Sequence, residues 1–407
     1  MLALRKLLMH FALAAMPLVG GGAQAVETPK GSLVIIGGAL RGDNAPVWQR
    51  IVQLAGGKGA RIAVFPSAAA NPARSGQFIV GRLNQHGADA FLVPLAVKLE
   101  GSDFRKVAED AALAASVRSA GGVYFSGGDQ ARITQAMVRA DGSRSALLDA
   151  VWDVYRRGGV VAGTSAGAAI MSSTMFYEVK TVFSTLRSGV NEGREIAPGL
   201  GFIGDDIFID QHLLTRGRFA RMIPAMLKKG YKLGLGIDEN TAMVIDSKRQ
   251  VEIIGYKGAL LIDLTRASTD PKAIGFNISG VNLSYLDRGD KYDIDQRRFI
   301  PSPEKVGGLL DPERPSLNMP VFTADILGPN AVIDLMEKLI DNAQKEAVGI
   351  AIGHPSEPLH ELGFEFRFSK TGDSVGYSSS VAEAYSILNM RLDIRPIEIQ
   401  YPLYRYK

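Results

Sequence analysis

Short apolar runs that close on glycine or proline, each parted from the next by a stretch of helical period, leave this chain few folds to adopt. They are Ser32–Gly38, Arg61–Pro66, Ala90–Pro94, Gly122–Gly128 and Val160–Gly163. Amphipathic stretches such as Asp103 to Arg118 and Ser145 to Arg157 lie between them. A strand apolar on both faces has no side to give to water, so the pattern predicts an α/β fold: a mostly parallel sheet flanked by helices. Ligands in such sheets bind where strands end and glycine-rich turns lead into helices. After Gly234 the texture changes. Thr241–Asp246 and Gln250–Gly255 read as a hairpin about Ser247-Lys248-Arg249, with antiparallel strands closing a first domain near Asp295. Pro301 to Pro320 reads as a linker or irregular surface segment. A helix over Ala331 to Lys345 and several strand-like runs follow. The expected division is 1–25, 26–298 and an extension of unassigned role over 299–407. There is no internal repeat.

Residues 1–25 have the three parts of a secretory signal: basic Arg5-Lys6, the apolar run Leu7 to Val19, and Ala23-Gln24-Ala25 before the cleavage point. The expectation is a mature chain starting near Val26, secreted to the periplasm or beyond. The apolar run is too short to span a bilayer and no later stretch approaches that length, so no membrane span is expected after cleavage. Cysteine is absent, which excludes disulfides, thiolate metal sites and a cysteine nucleophile. The formal charge is only +4 and no Lys/Arg run is interleaved with aromatics, so nucleic acid is not an expected partner.

Val160 to Met171 reads as strand, sharp turn and helix, with Ser165 on the turn inside Gly163-Thr164-Ser165-Ala166-Gly167. Glycines on both sides allow a strained backbone and keep bulk from the hydroxyl, which makes Ser165 the candidate nucleophile of an elbow. The N–H of Ala166 opens the helix and can point at a developing oxyanion. Five histidines are available as base. His10 leaves with the signal, His86 reads as a surface cap at a helix end, and His354 and His360 lie past the domain boundary. His212 remains, closing the apolar strand Ile207 to Gln211. Asp238 and Glu239 end another apolar run; Glu239 is the first choice to orient the imidazole and Asp238 the reserve. The order Ser, His, Glu differs from the Ser, Asp/Glu, His of α/β-hydrolase esterases.

Four motifs in this order, Gly127-Gly128-Asp129-Gln130, Gly163 to Gly167, Asp210-Gln211-His212 with Arg216-Gly217-Arg218, and Gly236 to Glu239, resemble the cyanophycinase family of serine peptidases, which includes the aspartyl dipeptidases. The resemblance runs from about Gly31 to Ile294. It implies a class-I-glutamine-amidotransferase-like fold and a triad of Ser165, His212 and Glu239. It implies oxyanion donors at the N–H groups of Gly128 and Ala166, and substrate binding by Gln130, Asp210, Gln211, Arg216, Arg218 and Arg221. It implies no cofactor and no metal, and a homodimer. The implied substrate is cyanophycin, a polyaspartate with arginine amide-linked to each β-carboxylate, cut to β-Asp-Arg dipeptides.

The residues suit that substrate on their own chemistry. The arginine trio presents planar forks matched to carboxylates, and Asp210 or Asp129 offers an anion for a substrate guanidinium. Two other readings stand beside it: a peptidase for short aspartyl or isoaspartyl peptides, and an exported binding protein that has lost catalysis. A glutamine amidotransferase proper would need cysteine where Ser165 stands.

Overall fold

The computed structural model describes residues 29–178, 181–354, 356, 359–382 and 384–403, so the expected signal peptide lies outside the described residues. The first five apolar runs become β1 (Ser32–Ile36), β2 (Arg61–Phe65), β3 (Asp89–Leu92), β4 (Gly122–Phe125) and β5 (Val160–Thr164). They pair in parallel in the order β3-β2-β4-β5-β1. Side chains alternate between faces with a period of two, and each face has its own core. Val34, Ile36, Ile62, Val64 and Tyr124 pack with Trp48, Ile51 and Leu83 of two covering helices. Leu33, Ile35, Phe65 and Phe125 pack on the other side with Val117, Leu147, Val151 and Val154.

The chain continues through β6 (Thr174–Phe176), β7 (Ile196–Pro198), β8 (Ile207–Gln211), β9 (Leu233–Ile237) and β10 (Thr241–Ile245). Then come β11 (Gln250–Gly255), β12 (Ala259–Asp263), β13 (Ile278–Leu286), β14 (Lys291–Asp293) and β15 (Arg298–Ile300). The expected hairpin is β10–β11. Both strands, with β14 and β15, extend the first sheet antiparallel from its β1 side, making nine strands in all.

Strands β8, β9, β12 and β13 belong instead to a second sheet. Its remainder comes from β16 (Val321–Thr323), β17 (Glu346–Ile352), β18 (Leu362–Ser369), β19 (Val375–Ser378) and β20 (Tyr385–Glu398). The C-terminal strands therefore share a sheet with residues well before position 299: β20 pairs along β13, with Leu283 opposite Met390. One core joins Phe208, Phe219, Leu260 and Leu283 to Met336, Phe364, Phe366 and Leu392. The expected C-terminal helix runs over Ala331–Ile340. In the irregular stretch, fully buried Lys305 reaches both oxygens of Asp290 at 3.2 Å, Asp287 at 3.3 Å and Ser386 Oγ at 2.7 Å.

The two sheets meet where the site lies. Asp238-Glu239-Asn240 is the crossing from β9 in the second sheet to β10 in the first.

Candidate active site

Ser165 follows β5 with φ +53° and is succeeded at once by a short helix, Ala166–Ala169. The flanking glycines serve close approach rather than strain: a Cβ at Gly163 would stand 2.1 Å from the Gly167 carbonyl oxygen, and one at Gly167 2.5 Å from that of Phe125. The strained residue is the serine itself. His212 takes φ +52°. Such outliers persist only where their surroundings over-determine them.

Those surroundings are the end of β1. The carbonyl of Ile36 accepts the N–H of Ser165 at 2.9 Å, that of Gly37 the N–H of His212 at 2.8 Å, and that of Gly38 the N–H of Asn240 at 2.8 Å. Three consecutive carbonyls thus register the nucleophile, the base and the neighbour of Glu239. Gly38 has φ +121°, and a Cβ on it would fall 2.2 Å from His212 Cε1 and 2.4 Å from Nε2. The glycine leaves the space that the imidazole occupies.

Ser165 Oγ lies 2.9 Å from His212 Nε2, and His212 Nδ1 lies 2.5 Å from Glu239 Oε1. A proton on Nδ1 donated to Glu239 leaves Nε2 free to accept from the serine. Burial disfavours the imidazolium and pushes the histidine pKa below its ordinary value. Glu239 opposes that shift, while Arg216 and Arg218 reinforce it. Of the two carboxylates left open by the sequence, only Glu239 contacts the ring. Asp238, fully buried, accepts the N–H groups of Leu214 (3.2 Å) and Thr215 (3.0 Å) and meets Lys257 Nζ at 2.6 Å. It anchors the loop after His212.

A cavity of about 350 Å³ opens on Ser165 and His212. Gly128, Gln130, Gln211, Arg216, Arg218 and Arg221 line it, as do Phe176 and Tyr177. Asp210 does not. Both its oxygens are held at 2.7 Å by Arg221, so it is not the acceptor for a substrate guanidinium that its sequence position suggested. Arg221 in turn lies 4.1 Å over the Phe176 ring. Asp129 caps its helix through the Ala131 N–H at 2.9 Å and stands 3.5 Å from Arg132.

The three arginines differ. Arg221 is neutralised by Asp210. Arg218 donates to the carbonyl oxygen and Oε1 of Gln211, each at 2.9 Å; burial and the nearby guanidinium groups push its pKa down to about 10, which leaves it charged. Arg216 is exposed, and its side chain has no hydrogen-bond or ion-pair partner among the described residues. Among the described residues no carboxylate lines the cavity, so two guanidinium charges face it without a lining counter-ion from them. Gln130 Nε2 donates to the Phe176 carbonyl at 2.7 Å, fixing that wall.

The N–H groups of Gly128 and Ala166 have no backbone acceptor among the described residues. Gly128 has φ +139°, and a Cβ there would sit 2.1 Å from the Ala68 carbonyl oxygen. Free N–H groups flanking the nucleophile are what a tetrahedral oxyanion requires. Among the described residues no group of three His, Asp or Glu is placed to hold a metal. A larger cavity of about 480 Å³, by Leu33, Trp152 and Ile245, contains none of these groups.

Sequence reasoning missed Phe176 and Tyr177, the β1 carbonyls and Lys257. Only the Gly37-Gly38 pair at a strand end carried a readable signal.

A family model described as Peptidase family S51 matches residues 33–253, a span that holds Ser165, His212, Glu239 and all the cavity residues. A cyanophycinase of Trichormus variabilis is 28% identical over 303 residues, covering 72% of this chain and 96% of its own. A cyanophycinase of Geminocystis herdmanii is 30% identical over 276 residues, covering 65% and 94%. The crystal structure of a peptidase from an acI-B1 Actinobacterium aligns with a TM-score of 0.48 at 17% identity, over 66% of this chain and 98% of that one.

Proposed function

The chain belongs to peptidase family S51, and from that premise we propose that this serine-type peptidase of the cyanophycinase type hydrolyses cyanophycin along its polyaspartate backbone, releasing β-Asp-Arg dipeptides. The observation that carries the reading is the pair of guanidinium groups, Arg216 and Arg218, beside Ser165 in a cavity that no carboxylate among the described residues lines. Such a cavity suits an aspartyl residue whose carboxylate is held by a fork of N–H donors.

In the proposed reaction, His212 Nε2 takes the proton of Ser165 as Oγ attacks the scissile carbonyl. The Gly128 and Ala166 N–H groups hold the oxyanion, and Glu239 stabilises the imidazolium. Collapse of the tetrahedral species breaks the amide bond, and His212 passes its proton to the leaving amine. Water, deprotonated by the same histidine, then attacks the acyl carbonyl; the bond to Ser165 Oγ breaks, Oγ regains its proton from His212, and the acyl product leaves as a carboxylate.

With Asp210 already paired to Arg221, no lining residue among those described offers an anion to the substrate's arginyl group. That absence favours a second reading, a peptidase for short aspartyl peptides that carry no arginine. Mass analysis of soluble products from insoluble cyanophycin, run beside short aspartyl dipeptides, separates the two. Abundant β-Asp-Arg from the wild type and none from Ser165→Ala is the expected outcome. Turnover undiminished in a folded Ser165→Ala would remove the nucleophile assignment.

The proposal includes export, supported by the basic start, apolar run and Ala23-Gln24-Ala25 of residues 1–25. N-terminal sequencing of the exported fraction should find a start near Val26.

A further inference from the structure

The loop Leu213–Arg218 hangs between His212 and the helix Phe219–Lys229, and it carries Arg216 and Arg218. Asp238 holds it from inside through the N–H groups of Leu214 and Thr215. Its outer side rests on the C-terminal third of the chain. The N–H of Asn330 donates to the Leu214 carbonyl at 3.0 Å. Leu327 lies against Gly217, which has φ +56°; a Cβ there would stand 2.2 Å from the Leu327 carbonyl oxygen. Lys257 Nζ links the two sides, 2.6 Å from Asp238, 3.3 Å from Thr215 Oγ1 and 3.5 Å from Asn330 Oδ1.

The supporting turn is itself well held. Ile326 is fully buried, its N–H donates to Ile350 in β17 at 3.0 Å, and the helix Ala331–Ile340 starts directly after Asn330. Because the Arg216 side chain has no partner among the described residues, the backbone of its loop sets the point from which the guanidinium reaches the cavity. The triad has its own register in the carbonyls at the end of β1. The loop meets the triad on its inner side, where the Arg216 N–H donates to the His212 carbonyl at 3.2 Å, whereas the turn touches only its outer side.

We propose that the turn Ile326–Asn330 is a positioning element of the substrate wall, setting the place of Arg216 and so the affinity for a carboxylate-bearing substrate. This gives the C-terminal segment a role in the reaction, although it lies beyond residues 33–253 of the family match. The inference rests on the cyanophycin reading only for its substrate.

Steady-state hydrolysis of soluble β-Asp-Arg oligomers, together with inactivation of Ser165 by a small uncharged phosphonate, tests it. Gly217→Ala should raise KM about tenfold, the loss of one charge-assisted hydrogen bond. Its kcat should stay within about threefold of wild type and its phosphonate inactivation rate should be unchanged. Added to Arg216→Gln, Gly217→Ala should raise KM no further, since the two act through one group. Asn330→Gly keeps the left-handed backbone but removes the 3.5 Å link from Lys257 to the turn, and should raise KM about threefold; it serves if Gly217→Ala does not fold. KM within twofold of wild type in the folded variants overturns the proposal. So does a joint fall of kcat, inactivation rate and thermal stability, or an additive double variant. A wild type that releases no dipeptide overturns the substrate reading alone; the same KM comparison made with short aspartyl peptides then decides the proposal.

Discussion

At the scale of single residues, the site depends on what each charge has beside it. Asp210 and Arg221 cancel, Arg218 leans on Gln211, and Arg216 is left facing the cavity and the catalytic imidazole. The same cation that suits a carboxylate also disfavours protonation of His212. The acid limb of kcat/KM should therefore report a histidine pKa below the ordinary 6.5. Removing the Arg216 charge takes away a repulsion felt only by the imidazolium. Arg216→Gln should thus move the acid limb to higher pH, alongside its rise in KM, while the corresponding change at solvent-facing Arg41 should not. A pH–rate series on the three proteins checks the direction; a limb that stays still or moves to lower pH would deny the coupling. The identities of Ser165 and His212 were legible because their chemistry and chain order are restrictive. Asp238 and Glu239, adjacent and alike, were separable only by seeing which carboxylate reaches the ring.

At the scale of elements, the end of β1 does more than close a strand. Its carbonyls at positions 36 to 38 hold three segments that are far apart in sequence, and Gly38 gives His212 its room. A misplacement of about 1 Å in a catalytic group can cost a hundredfold in rate. Gly38→Ala should lower kcat by about that factor while KM changes little, since the arginine wall is not touched. Stopped-time kinetics with a circular dichroism and thermal unfolding control would test it; normal kcat in a folded variant would refute the packing argument. The parallel strands themselves were readable from composition, since strands buried on both faces must be apolar throughout. The role of the Gly37-Gly38 pair was not, because the side chain that needs the space arrives 174 positions later from His212.

At the scale of the whole molecule, the second sheet joins residues on both sides of the expected boundary at 298/299. Lys305, Asp290, Asp287 and Ser386 form a fully or nearly buried ionic cluster between the irregular segment, the turn before β14 and β20. Removing one partner of a buried pair leaves the other charge uncompensated, at a cost of about 3–5 kcal/mol. Lys305→Met should destabilise the protein by roughly that amount, and Lys305→Met with Asp290→Asn should recover part of it. Urea unfolding distinguishes these outcomes, and a loss within experimental error for the single variant would show the cluster to be energetically idle. Apolar periodicity after residue 320 was enough to expect one helix and several strands. It does not say which neighbours they pair with, and here the neighbours are β13 and, through β13, β8, β9 and β12.

The sequence by itself determined the alternating α/β core, the serine elbow, the histidine by elimination and the family, because period, turn chemistry and motif order are properties of contiguous chain. Only the tertiary structure decided which carboxylate orients His212, which arginine stays uncompensated and what the C-terminal strands support. Those outcomes depend on where two sheets meet at the Asp238–Asn240 crossing and on which charges burial brings within a hydrogen bond of one another. Neither separation in space nor desolvation is encoded in any local stretch of residues.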